Sequence, residues 1–363
     1  MKILVITNHS YMFWQFRREL MARLLEEHEV VLSTPFVGHE EDLKALGCRL
    51  IETEVDRRGI NPVTDSKLIR TYASILKQEQ PDLVITYSIK PNIYAGFLCR
   101  IKHIPYCVNV QGLGTAFQKK GLAALVTVMY RHAVKKAKTV FFENEGNAAL
   151  FQARHIIPAR QQTVLHGAGV NLEYYPCRPY PQRDQVRFLY LGRIMQEKGI
   201  DELFYAIRTL HETYGQKVGL DLVGFFEDAY KDQVAALERD SIAVFHGFQQ
   251  DPRPFYEQAD CIVLPSYHEG MSNVLLEGAA TGRALIASDI PGCREAVEDG
   301  VSGYLCPVKN REGLLEAMER FLACTPQERA DMGRHSRERM EQYFSKEQVV
   351  EKTVRAILEE TEC

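Results

Sequence analysis

The chain has 363 residues, of which 45% are hydrophobic and 25% charged, and its formal net charge is −4. That length predicts about two domains. The composition excludes a stapled mini-protein, long disorder, a collagen-like repeat and a mainly membrane-embedded protein. The nine cysteines include no C-x-x-C pair, which argues against a zinc or redox site and for reduced thiols. The opening MKILVIT carries one lysine and a short apolar run, without the long apolar stretch and cleavage site of a signal peptide, so a cytoplasmic protein is expected.

Charge is unevenly spread. Through residue 172 there are 22 Lys and Arg against 15 Asp and Glu, and in the remainder 22 against 33. Between Asp82 and Glu143 no acidic residue occurs, while nine basic ones do: Lys90, Arg100, Lys102, Lys119, Lys120, Arg131, Lys135, Lys136 and Lys138. Such a field attracts an anion. Nucleic acid, an anionic membrane surface and a phosphorylated substrate all meet that description, as an ordinary solvated basic face also would.

In chain order, KILVIT, EVVLST, RLIETEV, DLVITYS, PYCVNV, TVFFEN and QTVLHG are short β-branched runs, each followed by a candidate helix or turn. They are apolar throughout and not strictly alternating, as strands buried on both faces of a parallel sheet are. A right-handed doubly wound α/β sheet follows. Residues Leu122 to Tyr130 form an apolar run broken only by Thr127 and leading into Arg131, Lys135, Lys136 and Lys138. As a helix it has the composition of an interfacial anchor; a core helix with lysines at its negative end fits equally.

Near residues 172–186 the pattern lapses into the Pro- and Tyr-rich EYYPCRPYPQRDQV, where a boundary is expected. RFLYLG, VGLDLVG, IAVFHG, CIVLPS and RALIASD then restart it, and helices are predicted from about Arg311 to Glu360. Two Rossmann-like domains follow, 1–172 and 173–344, facing across a cleft. Ligands of open α/β sheets sit at the carboxyl ends of the strands.

After CIVLPS comes YHEGMSNVLLEGAATG, with Glu269 and Glu277 separated by seven residues. The small turn Gly270-Met271-Ser272 before a predicted helix at Asn273 and Val274 presents free N–H groups and the positive dipole end, suited to a phosphate or sugar hydroxyl. Along a helix, Glu277 would lie roughly 12 Å from Glu269, too far for a glycosidase acid/base pair, so the two carboxylates would bind different parts of one ligand. Alternatively Glu269 is a turn residue and Glu277 a solvated helix face. After RFLYLG, Arg193 and Lys198 stand five residues apart, each beside a glycine, and could clamp a diphosphate and stabilise the charge on its departure. Surface charges on an exposed loop are the other possibility.

The order G-R-x4-K-G, followed about 75 residues later by E-x7-E, resembles the retaining, nucleotide-sugar-dependent glycosyltransferases of family 4 with the GT-B fold. The resemblance spans both halves. It implies that Arg193 and Lys198 hold the donor diphosphate, that Glu269 contacts the donor sugar, that Gly270, Met271, Ser272, Asn273 and Val274 contact sugar and phosphate, and that Glu277 binds the ribose. It also implies that the final helix, 345–363, crosses back onto the first domain. RRGINPVTD, YSIKPNIYAG, NVQGLGTAF and GVNLEYY are similar to the branch that extends undecaprenyl-diphosphate-linked sugars in bacterial N-glycan, capsule and O-antigen assembly, and in particular to its N-acetylgalactosaminyltransferases. That similarity implies a UDP-sugar donor, no required cofactor, a lipid-linked saccharide acceptor, an anionic membrane surface and no nucleic acid. The acceptor would meet Asn8, Lys90, Asn92, Gln111, Gly112 and Gly114.

The chain departs from the family at Asn8 to Met12, a loop without glycine. The strand before Gly112 ends in Asn109-Val110-Gln111, without the histidine found near many family reaction centres. No general base is assigned; His9, His166 and His268 remain candidates or ordinary hydrogen-bonding residues. In such enzymes front-face attack lets the leaving phosphate take the acceptor proton. A nicotinamide dehydrogenase would need G-x-G-x-x-G after its first strand, where Thr7 to Met12 has no glycine. A nucleotide-sugar epimerase would use the same clamp without an acceptor, and a non-catalytic membrane scaffold would leave the second-half motifs unused. No Asp-x-Asp occurs, and no second histidine follows His268-Glu269 at zinc spacing, so no metal site is expected.

Overall fold

The computed structural model describes residues 1–56, 61–113, 117 and 120–359. The chain divides into two compact units, Met1–Ala168 with Glu347–Cys363, and Gly169–Lys346.

The first unit holds β1 (Lys2–Ile6), β2 (Glu29–Thr34), β3 (Arg49–Glu52), β4 (Leu83–Tyr87), β5 (Tyr106–Val110), β6 (Val140–Phe142) and β7 (Gln162–Val164). Its helices are α1 (Ser10–Leu25), α2 (Glu40–Leu46), α3 (Pro62–Glu79), α4 (Ile89–Lys102), α5 (Lys120–Ala133) and α6 (Glu145–Ala153). The strands form one parallel sheet in the order β3-β2-β1-β4-β5-β6-β7, with Ile3 opposite both Val30 and Leu83.

Side chains alternate between the two faces of a strand, and the packing follows that rule. Leu4 and Ile6 join a cluster with Leu68 and Tyr72 of α3, Ile93 of α4, Tyr130 of α5 and Phe151 of α6. Ile3 and Val5 face the other way, onto Phe13, Leu20 and Leu24 of α1 and Leu43 of α2. Both faces are covered, which is why these runs are apolar throughout.

The second unit contains β8 (Val186–Leu191), β9 (Val218–Val223), β10 (Ala243–Phe245), β11 (Cys261–Leu264), β12 (Ala284–Ser288) and β13 (Gly303–Cys306). Its helices are α7 (Ile200–Tyr214), α8 (Lys231–Arg239), α9 (Arg253–Gln258), α10 (Asn273–Ala280), α11 (Arg311–Ala323) and α12 (Pro326–Arg339). The sheet is again parallel, in the order β10-β9-β8-β11-β12-β13. The last helix, α13 (Lys346–Leu358), sends Val349, Val350, Val354 and Ile357 into the apolar cluster of the first sheet, beside Ile85 and Phe141.

The division falls after Ala168, four residues before 172/173, because Val170 exchanges backbone hydrogen bonds with Phe344 and Lys346 of the second unit at 2.8 and 2.9 Å; the proline-rich segment that follows belongs to that unit's core. Tyr175 is buried there. The Arg283 guanidinium donates to the carbonyls of Arg178, Pro179, Tyr256, Glu257 and Gly282 at 2.9–3.2 Å, tying that segment to α9 and the start of β12. Arg283 is fully buried, so its charge is held by carbonyl dipoles where water cannot reach. Arg283→Met should leave those acceptors unpaired and cost about 3 kcal/mol or more, read as a lowered urea midpoint; a change below about 1 kcal/mol would contradict this account.

Candidate active site

In a doubly wound sheet the crevice lies outside the carboxyl ends of the two strands at which the order reverses. In the second unit these are β8 and β11, paired through Phe188–Cys261 and Leu189–Ile262. The loop after β8 carries Arg193 and Lys198 and feeds α7, and the loop after β11 carries Glu269 and feeds α10.

These two loops touch. Gly199 has φ 71°, and a Cβ there would lie 2.1 Å from the Pro265 carbonyl oxygen, so only glycine permits this approach. The Tyr267 N–H donates to the Glu197 carbonyl at 2.9 Å. Lys198 Nζ thereby reaches Glu269 Oε1 at 2.5 Å, with both side chains mostly buried. Two residues 71 positions apart form one charge-assisted contact.

Arg193 lies on the rim, its side chain 43% exposed, and pairs with Glu227 at 2.8 Å. Its backbone is fixed from below: the buried Tyr190 hydroxyl donates to the Arg193 carbonyl at 2.6 Å, and the Ile194 N–H to the Phe225 carbonyl at 2.8 Å. The sequence reading missed Glu227, since FFEDAY resembles any polar loop. Its position after β9, the neighbour of β8, is the signal that could have found it.

The turn Gly270 to Ser272 opens α10. Ser272 caps it, its side chain accepting from the Leu275 N–H, while the N–H groups of Asn273 and Val274 have no intrahelical acceptor. The Ser272 N–H donates to the Gly292 carbonyl at 2.9 Å. A Cβ at Gly292 would stand 2.5 Å from the Gly270 oxygen, so the turn is pressed against the loop after β12. Met271 is buried beneath it. Arg193, Lys198, Glu269 and the α10 N-terminus thus share one strand-end edge.

Glu277 points inward. It is buried, which removes the solvated-face alternative. Tyr256 donates to Glu277 Oε2 at 2.8 Å, and Tyr175 is a second hydroxyl partner. Burial raises its pKa to about 7, against the lowering effect of the two hydroxyls and the Lys346 charge.

In the first unit the order reverses between β1 and β4. Ser88, at a strained φ of 75°, donates to Asn8 Oδ1 at 2.8 Å across that point. Lys90 is engaged with Asp65 at 2.7 Å. Gln111 and Gly112 are half-buried in the loop after β5. Asn92 serves the core instead. It is buried, and its Nδ2 donates to the Asn109 carbonyl at 2.7 Å and towards the Tyr130 hydroxyl, joining α4 to β5. Gly114 lies outside the described residues. His9 caps α1 by accepting from the Met12 N–H, and His268 is exposed on the second-unit loop. The sequence reading also missed the Arg17–Glu143 pair, 2.5 Å apart and nearly buried, between α1 and the end of β6. Among the described residues no three His, Cys, Asp or Glu side chains are grouped to hold a metal ion, and no helix is long and apolar enough to cross a membrane.

Residues 14–168 match the family described as glycosyl transferase 4-like domain, and residues 185–324 that of glycosyl transferases group 1. The chain belongs to the group 1 glycosyltransferases. It is 25% identical, over 89% of both chains, to the N,N'-diacetylbacillosaminyl-diphospho-undecaprenol alpha-1,3-N-acetylgalactosaminyltransferase of Campylobacter jejuni. A glycogen synthase of Mycobacterium tuberculosis is 31% identical over 44% of this chain and 39% of its own. Among solved structures, Anabaena HepE in complex with UDP and glucose superposes with a TM-score of 0.79 at 15% identity, over 98% of each chain. The galactosyltransferase WaaB superposes at 0.72 and 18%, over 98% of this chain and 99% of its own. The fold of this glycosyltransferase is therefore GT-B, with two Rossmann-like parallel-sheet domains.

The raised Glu277 carboxyl makes stability depend on pH with a definite sign. The folded glycosyltransferase keeps that proton to about pH 7, whereas an ordinary glutamate releases it near 4.5. The folded state therefore binds more protons between those values, and its stability should fall as pH rises through them, by roughly 3 kcal/mol at most. Glu277→Gln retains an acceptor for the tyrosines and does not titrate, so urea unfolding at pH 5 and pH 8 should show a smaller loss than wild type. Equal losses would remove Glu277 as the cause.

Proposed function

We propose that the protein transfers a hexose or N-acetylhexosamine, with retention, from a UDP-sugar to a polyprenyl-diphosphate-linked saccharide at the cytosolic membrane face. The observation that carries this reading is the Lys198–Glu269 contact at 2.5 Å, on the switch-point edge of the second sheet and beside the α10 N-terminus. A cation for the diphosphate, a carboxylate for sugar hydroxyls and free helix N–H groups suit a nucleotide sugar. HepE, with UDP and glucose in its complex, supports that donor class. The N-acetylgalactosaminyltransferase likeness over 89% of both chains supports the lipid-linked acceptor.

In this reading Lys198 and Arg193 exchange their carboxylate partners for the donor diphosphate, and Glu269 accepts hydrogen bonds from the sugar. Glu277 serves the ribose, for which a hydroxyl must share or replace a tyrosine contact. The acceptor oxygen bonds to the anomeric carbon as the bond from that carbon to the phosphate oxygen breaks. The acceptor proton passes to the departing UDP phosphate, and the electron pair of the broken bond stays on UDP. Fixed cations stabilise that growing charge without reorganisation, and the reading requires neither a metal nor another cofactor. Asn8, Lys90, Gln111, Gly112 and Gly114 would meet the acceptor.

Lys198→Ala and Glu269→Ala should each lower turnover by more than about tenfold in purified protein that keeps the wild-type fold by circular dichroism. The assay is UDP release from a panel of UDP-sugars, with and without a polyprenyl-diphosphate-linked sugar. Release that requires the lipid acceptor supports the reading, and near-normal turnover in both variants overturns the site. UDP-sugar isomerisation without any acceptor requirement identifies an epimerase instead.

A further inference from the structure

The glycine-free stretch Asn8 to Met12, where the chain departs from its family, leads into an aromatic cluster that the donor site does not use. Tyr11 and Trp14 stand three residues apart at the start of α1, on one side of the helix. His39, in the loop between β2 and α2, meets both rings. Its centroid lies 4.9 Å from that of Tyr11 and 5.8 Å from that of Trp14, nearly parallel to the latter at 19°. Arg18, one turn further along α1, lies over the Trp14 ring at 5.7 Å. Because β1 and β2 are neighbours in the sheet, the two loops leave its carboxyl edge side by side, next to Asn8.

The cluster is fixed from beneath. The fully buried Ser10 hydroxyl donates to the Gly38 carbonyl at 2.8 Å and accepts from the Val37 N–H at 2.9 Å. The Gly38 N–H in turn donates to Glu40 at 2.6 Å. The rings are thus held before any ligand arrives, which lowers the ordering cost of binding. Their other side meets water: Tyr11, Trp14 and His39 are half-buried, and Met12 and Val37 beside them are 44% and 51% exposed. Among the described residues neither the Tyr11 hydroxyl nor the Trp14 N–H has a protein hydrogen-bond partner, and neither is shut away from solvent.

Aromatic surface ending in unpaired polar tips suits a ligand that is apolar on its face and polar around its rim. A pyranose is built that way: its C–H face packs on the negative face of an aromatic ring, and its oxygens take the tips. A hydrocarbon chain would cover the rings and leave both tips unpaired. An anion is disfavoured, since Glu40, Glu41 and Asp42 fill the first turn of α2.

We propose that Tyr11, Trp14 and His39 form a stacking platform for a neutral pyranose ring of the saccharide acceptor, with Tyr11 and Trp14 each donating a hydrogen bond to its rim oxygens. The platform selects acceptors by the shape of that C–H face. It takes its place in the reaction from the acceptor reading above, while its chemistry is that of a saccharide site in its own right.

Trp14 is the only tryptophan of the chain, so tryptophan emission reports on this platform alone. The full chain is titrated with lipid-free glucose, N-acetylglucosamine and N-acetylgalactosamine, with acyclic sorbitol as the control. At least one pyranose should shift the emission saturably, with a midpoint in the millimolar range, as a few contacts to a small neutral ligand give, and sorbitol should not. Tyr11→Ala and His39→Ala should each weaken that midpoint by about threefold or more. Tyr11→Phe, which keeps the ring and loses only the hydroxyl, should weaken it less. Trp14→Ala should raise the KM for the saccharide acceptor while UDP affinity, read by calorimetry, stays at the wild-type value. Emission that no sugar shifts, together with a wild-type acceptor KM in Trp14→Ala, overturns the proposal. So does a shift produced by UDP and by no sugar, which assigns the platform to the nucleotide. A shift produced by phosphatidylcholine vesicles and by no sugar overturns it too. If sugars bind here and no polyprenyl-linked saccharide supports transfer, the platform stands and the acceptor reading falls. If transfer proceeds with a wild-type acceptor KM in every platform variant, the acceptor reading stands and the platform falls.

Discussion

The second unit depends on one topological fact: its chain reverses direction of growth between β8 and β11. From β8 the sheet extends outward through β9 and β10, and from β11 the other way through β12 and β13. Two loops that leave adjacent strands towards opposite faces must diverge, and the crevice between them opens at the carboxyl edge. Every residue of the donor-side constellation is placed by this reversal. Gly199 lets the first loop lie against Pro265, Gly292 lets the third press on Gly270, and the Lys198–Glu269 contact is the result. Neither charge could be positioned so closely by a surface loop free to move, because long side chains in water lose more entropy than an exposed ion pair returns.

The sequence announces this architecture through its apolar runs, since a strand buried on both faces has no room for polar alternation. Among the described residues, twelve of the thirteen strands coincide with such runs. The exception, β13, is GYLC, four residues that begin with glycine and follow a loop. Its strand character comes from pairing with β12 through Leu285–Gly303 and Ile286–Tyr304, a tertiary cause that local composition does not carry. The proline-rich stretch misleads for a related reason. Prolines do forbid pairing there, but a segment without pairing need not be a linker, and Arg283 satisfies its carbonyls from inside the second unit.

Side-chain placement is legible where a motif fixes a loop and obscure where the partner comes from elsewhere. Arg193, Lys198 and Glu269 stand at strand ends that the runs already marked. Glu227 and Tyr175 come from other loops and Tyr256 from α9, and nothing near them in the chain signals what they bind. Asn92 illustrates the converse. It follows a strand end, as an acceptor residue would, but helix α4 turns it towards β5, where its amide bridges to the Asn109 carbonyl. Being near a strand end is necessary for a site and does not decide which way a helical side chain faces.

The ion pairs of the donor edge bear on how a diphosphate would be received. Lys198 and Arg193 already hold carboxylates, so each cation is oriented and partly stripped of water before any ligand arrives. A diphosphate entering such a site exchanges one anionic partner for another, which avoids most of the desolvation that isolated cations would undergo. The two exchanges differ, because Arg193 is nearly half exposed whereas Lys198 and Glu269 are mostly buried. Displacing Glu269 from Lys198 releases a carboxylate into a sheltered space, where it becomes costly unless it finds donors. Sugar hydroxyls are such donors. A diphosphate alone would leave Glu269 unsatisfied, whereas a nucleotide sugar supplies the phosphate for Lys198 and the hydroxyls for Glu269 together. Under the proposed reading the pair would thereby favour the intact donor over its nucleotide product, a preference that the isolated residues would not confer.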